Sequence, residues 1–190
     1  MEDYTKYRWF FTRSGKLVVA GKSAENNDEL LNLIIHSGKN YYVMHTSHPG
    51  SPFSVIHSDR VSKKDIEEAA IFTGSFSRAW KENKKQTEVH IFMSSQLHKE
   101  RGMKAGTWRV TGKFERINVR LELVLAKQKE KYRAVPPQTV SKEDTILTIK
   151  PGKTLKEKKV DELLEILKET KSKKDELLAA LPAGGLEWKK

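Results

Sequence analysis

The sequence predicts an α+β fold: a largely antiparallel sheet with two main helices and a C-terminal helical appendage. The first observation is a series of short strand-like segments separated by turns that contain glycine, serine and proline, which is typical of antiparallel sheets. The second is a pair of helical patterns that begin at serines in the first half of the chain. The third is a charged C-terminal segment with leucines at helical spacing. With 190 residues, 37% of them hydrophobic, the chain can bury one sizeable core.

The first third of the chain predicts a hairpin, a helix and two further strands. Residues 7–13 are aromatic and strand-like, and a Ser-Gly turn separates them from the apolar residues 17–20. This pattern predicts an antiparallel hairpin. Ser23 is placed as the N-cap of a helix that carries a leucine-rich apolar cluster. Residues 41–45 and 53–57 predict two short strands around a polar loop.

The middle of the chain predicts the second main helix and the rest of the sheet. Ser62 and Asp65 have the spacing of a capping box, and apolar residues recur at helical spacing as far as about Lys84. Strands are predicted at residues 87–93, 116–123, 132–135 and 145–149. In the strand that starts at Arg116, strict alternation places Arg116 and Arg120 together on the exposed face.

The C-terminal segment predicts helices that are apolar on one side and charged on the other. We divide the chain into a binding domain at residues 1–153 and a C-terminal helical extension at residues 154–190 that ends in a loose tail after Pro182. The apolar stripe consists of Val160, Leu163, Leu164 and Leu167. Packing of this stripe on the domain is favoured, and docking of a partner helix, as in a protein adaptor, is the alternative.

The net charge of the chain and its concentration in one segment predict a polyanionic partner. The formal net charge is +11, and residues 99–133 alone carry eleven basic residues against four acidic ones. Trp108 and Phe114 lie among these bases. A concentrated basic segment with interleaved aromatic residues favours a nucleic-acid surface over a solvated charged face.

Composition also excludes several classes of protein. The chain has no cysteine, which excludes disulfide frameworks, thiolate metal sites and cysteine nucleophiles. No apolar run approaches the roughly 20 residues of a membrane-spanning helix, and the N-terminal residues lack a signal-peptide layout. We therefore expect a cytoplasmic protein without a membrane partner.

The segment GKSAENND at residues 21–28 resembles the end of a nucleotide-binding P-loop, but its spacing excludes that motif. A P-loop needs a glycine five residues before its GK[ST], and that position is Lys16. The strand-like residues 17–20 also lie where the phosphates would be wrapped. What remains is a helix N-terminus with Lys22 beside it, which attracts phosphate groups of any kind.

A histidine-containing loop is the only candidate for catalysis or metal binding. His45, His48 and His57 lie close in sequence, but no carboxylate occurs between His45 and Ser58, and a G-x-S-x-G nucleophile elbow is missing. We therefore predict no metal, no cofactor and no catalytic residue. An RNA-processing or RNA-modifying enzyme that uses His45 and His48 is the alternative.

The order of these motifs resembles the NFACT RNA-binding domain, which occurs in ribosome quality-control factors and as free-standing proteins. The residues that carry the resemblance are, in chain order, Gly21, Lys22, Ala24 and Asn27; His45, Pro49, Gly50 and Ser51; Ala69, Ala70, Ser77 and Arg78; and Gly106, Val110, Gly112 and Lys113. A fifth piece, ILTIKPGKT, closes the pattern at residues 146–154. The sequence departs from the family where Ser23 replaces a common aspartate and where Thr46 and Ser47 replace an acidic residue of some members.

The resemblance implies non-catalytic binding of structured RNA, either tRNA or ribosomal RNA, with the large ribosomal subunit as a candidate partner and no cofactor. We expect a free-standing form of the domain, since the N-terminal domain and coiled coil of longer members do not appear in this sequence; the oligomeric state stays open. The candidate RNA-binding residues are Lys22, Asn27, His45, Arg78, Arg101, Lys104, Arg109, Lys113, Arg116 and Arg120. For two of them an alternative stays open: Asn27 ties its loop together or touches RNA, and Arg78 is a solvated surface residue or a phosphate-binding fork.

Overall fold

A computed structural model of the chain describes residues 1, 3–48 and 50–189, so that Pro49 of the loop motif and Lys190 of the tail lie outside the described residues. The helices are α1 (Ala24–His36), α2 (Lys63–Ser75), α3 (Arg78–Lys81), α4 (Lys156–Leu167) and α5 (Lys174–Ala180). The strands are β1 (Arg8–Phe11), β2 (Leu17–Ala20), β3 (Tyr42–Thr46), β4 (Ser54–Ile56), β5 (Gln86–Met93), β6 (Leu97–His98), β7 (Arg109–Val110), β8 (Glu115–Arg120), β9 (Leu123–Gln128), β10 (Lys131–Val135), β11 (Leu147–Leu155) and β12 (Gly185–Lys189). This mixture of helices and antiparallel sheets confirms the predicted α+β class. Across the described part of the chain, each helix is too short or too polar to cross a bilayer.

The first sheet has six strands in the order β1-β2-β4-β3-β5-β8, and each neighbouring pair is antiparallel. Its buried side chains alternate between two apolar clusters, as Val18 and Val19 do on β2. Helix α1 covers one face with Leu30, Leu31 and Ile34. Helix α2 covers the other face with Ala69, Ala70 and Phe72. Both main helices begin as predicted: Ser23 accepts a hydrogen bond from the Asn26 amide, and Ser62 forms a full capping box with Asp65.

The second sheet has four strands in the order β10-β9-β11-β12 and packs into the same core as α2. The predicted single strand at residues 116–123 is therefore wrong. Strand β8 ends at Arg120 and pairs with β5, whereas β9 begins at Leu123 and pairs with β10 and β11. The apolar alternation continues across this break because Leu121 and Leu123 are both buried in the core that the two sheets share.

The predicted helix from Ser62 to about Lys84 is also wrong in its second half, because the chain leaves helical geometry after Ser75. Ser77 has extended backbone angles, and its hydroxyl accepts a hydrogen bond from the Ala79 amide, which starts the short helix α3. The apolar periodicity persists because α3 still buries Trp80 completely, and its indole Nε1 donates to the Gly185 carbonyl.

The predicted loose tail after Pro182 is wrong for residues 185–189, which form β12 and pair with β11. Leu186 is fully buried, so that this strand completes the second sheet rather than trailing in solvent. The apolar stripe of α4 is buried in the same core at Val160, Leu163 and Leu164, which contradicts the adaptor alternative. The predicted domain boundary at residue 153 falls inside β11, and the division of the chain into a binding domain and an extension stays a prediction.

Candidate nucleic-acid-binding cleft

A cleft of about 610 Å³ opens at the end of the first sheet where β1 begins and where β2 and β3 end. Four segments surround it: the loop from β2 into α1, the loop between β3 and β4, the α2–α3 region and the loop that precedes β7. Three of the sequence-predicted residues, Lys22, Asn27 and His45, line this cleft. Three of the sequence motifs, those that contain Lys22, His45 and Gly106, therefore line one cleft although they are far apart in the chain.

One end of the cleft is basic. Arg8, Lys22 and Lys81 line it, and none of the described lining residues is an aspartate or glutamate. The Arg8 guanidinium donates to the Gly21 carbonyl and lies 5.5 Å from the centre of the Phe76 ring. Burial lowers the pKa of Arg8, and burial together with the charges of Arg8 and Arg133 lowers the pKa of Lys22. The effect of the two guanidinium charges on Lys22 indicates a positive potential that favours an incoming anion.

The other end of the cleft is aromatic. The His45 ring stacks on Phe53 with a centroid distance of 4.3 Å and an interplanar angle of 24°. Phe92 and Trp108 also line this end. Burial lowers the pKa of His45 to about 4, and hydrogen bonds with the backbone of Ser51 and Thr46 offset this only in part. His45 is therefore a neutral aromatic ring at neutral pH.

Asp28 fastens the loop before β7 to helix α1. Its carboxylate accepts hydrogen bonds from the Gly106 amide at 3.0 Å, from Trp108 Nε1 at 2.7 Å and from Lys99 Nζ at 3.0 and 3.1 Å. Burial would raise the pKa of Asp28, but these donors outweigh it and lower the pKa below its usual value. Trp108 is thus held in a fixed position at the wall of the cleft.

Close contacts explain why two of the motif residues are glycines. A Cβ atom at Gly21 would lie 2.0 Å from Asn27 Oδ1, so that only glycine fits beside this amide. Gly106 has a φ of +73°, and a Cβ atom there would lie 2.8 Å from the Cα and Cβ atoms of Ala24. Asn27 Oδ1 also accepts a hydrogen bond from the Phe53 amide at 3.1 Å. Asn27 therefore ties the two loops together while it lines the cleft.

A row of side chains extends the cleft across the sheet. His45 on β3 is paired with His90 on β5, and His90 is paired with Arg116 on β8. Side chains of directly paired residues lie on the same face about 5 Å apart. Phe114 supports the end of the row, because its ring lies 4.8 Å from that of His90 and 5.1 Å from the Arg116 guanidinium. Arg116 is exposed, which leaves its charge open to solvent.

Arg120 lies at the other end of β8 and lines a second depression of about 560 Å³. Its cationic lining residues are Lys84, Lys85, Arg120, Lys150, Lys153 and Lys159. Three of these lysines are ion-paired, with Glu82, Glu122 and Glu162. The depression is nevertheless basic overall, because Glu187 is the one acidic residue among its described lining residues.

The structure does not bring the remaining predicted residues to the cleft. Arg78 is exposed and its Nε donates to Glu82 at 2.9 Å, and Arg109 is ion-paired with Glu100 at 2.7 Å. Arg101, Lys104 and Lys113 are exposed on loops outside the lining. RNA contacts by these five residues stay a prediction, and Arg78 and Arg109 would first have to give up their carboxylate partners.

Sequence reasoning missed Arg8, Lys81 and Asp28. In the sequence, Arg8 is a single basic residue within an aromatic strand-like segment. Its position next to Gly21 depends on the pairing of β1 with β2. Lys81 reaches the cleft because α3 is a separate helix. Asp28 lies inside the quoted segment GKSAENND, but its partners are more than 70 residues away in the chain.

His45, His48 and His57 do not lie together in the structure. Among the described residues, no group of three or more histidine, aspartate or glutamate side chains is close enough to hold an ion. His48 is exposed, bonds to Ser47 and does not line the cleft, and His57 stacks on Tyr41 with a centroid distance of 5.0 Å. The three histidine rings therefore contact different partners in different parts of the fold.

A basic and aromatic cleft that is continued by a basic strand is typical of nucleic-acid-binding proteins. Comparison with known proteins defines the family. The family described as the NFACT protein RNA-binding domain matches residues 6–112, which is more than half of the chain. The chain therefore belongs to the NFACT RNA-binding domain family, as its motifs predict.

The individual proteins that are similar to this chain include an archaeal protein and a bacterial protein of known structure. The Archaeal Rqc2 homolog aRqcH of Methanocaldococcus jannaschii is 32% identical over 196 residues, which cover 97% of this chain and 29% of that protein. The chain thus spans less than a third of the length of this relative. The solved structure of the C-terminal part of the fibronectin/fibrinogen-binding protein from Streptococcus suis matches with a TM-score of 0.51 and 23% identity, covering 60% of this chain and 44% of that one. At this identity the likeness concerns the fold.

Proposed function

We propose that this protein binds structured RNA, either tRNA or ribosomal RNA, without chemically altering it, and that it acts in the cytoplasm in ribosome quality control. The observation that carries the proposal is the cleft, in which Arg8, Lys22 and Lys81 meet with no acidic side chain among the described lining residues. Unneutralised cations around a concave site attract phosphate groups, and aromatic rings beside them accept bases.

The basic surface is long enough to follow an RNA backbone. The row of His45, His90 and Arg116 leads from the cleft to β8. Arg120 lies about 13 Å beyond Arg116, since a strand rises roughly 3.3 Å per residue, and it borders the second basic depression. We place the RNA backbone along this path, which favours a folded RNA over a short single strand.

The name of the archaeal relative supports the assignment to ribosome quality control. That protein is an Rqc2 homolog, and the aligned region covers nearly all of this chain. We therefore propose ribosomes, and the large subunit in particular, as the partner. The chain corresponds to 29% of the length of the relative. We therefore propose this partner for the domain alone and do not propose the activities of the whole relative.

The geometry favours binding over catalysis by the histidine loop. His45 is stacked on Phe53, and His48 lies outside the cleft, so that the two rings do not converge on one point. A nuclease or RNA-modifying enzyme would need them to act on the same bond or base. Incubation of labelled tRNA with the protein and divalent metal ions tests this: intact RNA supports binding, whereas cleavage or modification that His45→Ala abolishes would contradict it.

The binding proposal is tested by fluorescence anisotropy with tRNA, a ribosomal RNA hairpin and a duplex DNA of matched length, each at several salt concentrations. We expect one of the structured RNAs to bind more tightly than the DNA. We also expect the affinity to fall steeply with salt, because each neutralised phosphate releases counterions. Equal, weak binding to all three nucleic acids, or an affinity that barely changes with salt, would contradict the proposal.

A further inference from the structure

The size of the cleft limits what it can hold. A volume of about 610 Å³ lies in the range of roughly 300–1,000 Å³ that is typical of small-ligand sites. Double-stranded RNA is instead recognised across a surface that spans about 16 base pairs in its dedicated binding domains. The cleft therefore matches one residue of an RNA and not a helix.

The two ends of the cleft have different chemistry. Arg8, Lys22 and Lys81 lie at the end formed by β1, β2 and α3. His45, Phe53 and Trp108 lie at the end formed by β3, the start of β4 and the loop before β7. A nucleotide has the same division, because its phosphate is anionic and its base is a flat aromatic ring that stacks on aromatic side chains.

We infer that the cleft receives one unpaired nucleotide of the bound RNA, with its phosphate at Lys22 and Lys81 and its base against the ring of His45. The inference rests on the proposed RNA-binding function and adds the kind of RNA element that is recognised. A bulged or looped-out nucleotide would enter the cleft, while the flanking backbone follows Arg116 along β8.

The charge and the rigidity of the aromatic end agree with the binding of a base. His45 is neutral at physiological pH because burial lowers its pKa, so its ring offers a stacking surface without a charge of its own. The wall is held in place by hydrogen bonds within the protein, because Asp28 fixes the Trp108 indole and Asn27 fixes the Phe53 amide. A preformed wall does not lose conformational freedom when the base binds.

The test uses three RNA hairpins that share one stem. The first is fully paired, the second has one unpaired adenosine in the stem, and the third has an abasic residue at that position. The abasic hairpin keeps the phosphate and the bend of the bulged one, so the difference between the second and third hairpins isolates the base. Anisotropy at several salt concentrations gives the three affinities and their dependence on salt.

Two variants are designed to fill the cleft without a change in charge. Ser47 and Ala105 are exposed residues on opposite loops that line the cleft. In Ser47→Trp and in Ala105→Trp the new side chain occupies the space that the base would take. Ser95→Trp is the matched control, because Ser95 is also exposed and does not line the cleft.

We expect the unpaired adenosine to bind about tenfold more tightly than the abasic residue, which corresponds to the stacking of one base. Ser47→Trp and Ala105→Trp should remove this difference, and Ser95→Trp should keep it. Equal affinities for all three hairpins with a steep salt dependence would overturn this inference and leave the RNA-binding function standing. Weak, salt-insensitive binding of every hairpin would contradict the function itself.

A free nucleotide is the competing ligand of the same chemistry. Adenosine monophosphate is therefore added to the complex with the bulged hairpin. Displacement only at millimolar concentration supports the inference, because the flanking phosphates then contribute most of the affinity. Displacement at micromolar concentration would overturn it and identify the cleft as a site for a free nucleotide.

Discussion

Replacing Asp28 with alanine tests whether this carboxylate holds the wall of the cleft. The substitution leaves the Gly106 amide and the Trp108 indole without their acceptor. A buried donor without a partner costs about 1–3 kcal/mol. Trp108 is 9% exposed and should incur most of this penalty, whereas Gly106 is partly exposed and can bind water. Lys99 contributes little, because it keeps the carbonyls of Lys104 and Thr107.

We therefore expect the Asp28→Ala substitution to lower the free energy of unfolding by about 2–3 kcal/mol. Urea unfolding followed by circular dichroism measures it, with the slope of the transition compared between variants. Asp59→Ala is the control, since Asp59 is exposed, and it should change stability by less than about 0.5 kcal/mol. If Asp28→Ala destabilises the protein no more than Asp59→Ala does, the hydrogen bonds do not hold the loop.

The same variant has a functional consequence. Release of the loop should displace Trp108 from the cleft and weaken RNA binding at temperatures where the protein is still folded. Asp28→Asn should be intermediate in stability, because its amide keeps one acceptor oxygen and loses the charge that pairs with Lys99. RNA affinity that is unchanged in Asp28→Ala would mean that this wall does not contact the RNA.

Three further predictions concern other parts of the fold. The pKa of His45 is about 4 in the folded protein against 6.5 in the unfolded chain, so stability should fall as the pH drops from 6.5 towards 4. Urea unfolding should show that the original protein loses about 2 kcal/mol more than His45→Phe between pH 7 and pH 5; equal losses in the two proteins would contradict this. Gly21→Ala should cost about 1–3 kcal/mol, measured as a lower Tm, because its Cβ would collide with Asn27; an unchanged Tm would contradict this close approach. Deletion of residues 183–190 should prevent stable folding, because it exposes the edge of β11 and removes the acceptor of the Trp80 indole; a soluble protein with an unchanged unfolding transition would show that β12 is dispensable.

The parts of the fold that local chemistry determines could be predicted from the sequence. Ser23 and Ser62 start helices because their hydroxyls satisfy free backbone amides within three residues. The hairpin of β1 and β2 has its turn residues between two apolar runs. Lys22 is a candidate site residue because the helix start beside it is recognisable in the sequence, and His45 is one because it belongs to a motif that carries the family resemblance.

The errors arise where contacts distant in sequence decide the structure. The apolar alternation from Arg116 to Leu123 continues through a change of sheet, because both sheets share one core. Likewise, β12 forms because β11 offers it an edge, and residues 183–190 carry too weak a strand pattern to show this alone. The basic residues of the segment 99–133 are close together in sequence but lie on different surfaces of the fold. Arg109 is paired with Glu100, and the direction of β8 separates Arg116 from Arg120.

The central claim is that the cations of the cleft bind RNA phosphates. The most direct measurement is the dependence of the RNA affinity on salt for Lys22→Gln/Lys81→Gln, with Lys158→Gln/Lys171→Gln as a control of equal net charge whose two lysines are exposed outside the cleft. The account predicts that the slope of log affinity against log salt decreases by about one for each cleft lysine removed, and that the control keeps the slope of the original protein. Equal slopes in the two double variants would contradict the account, because the binding would then depend on the net charge and not on the cleft.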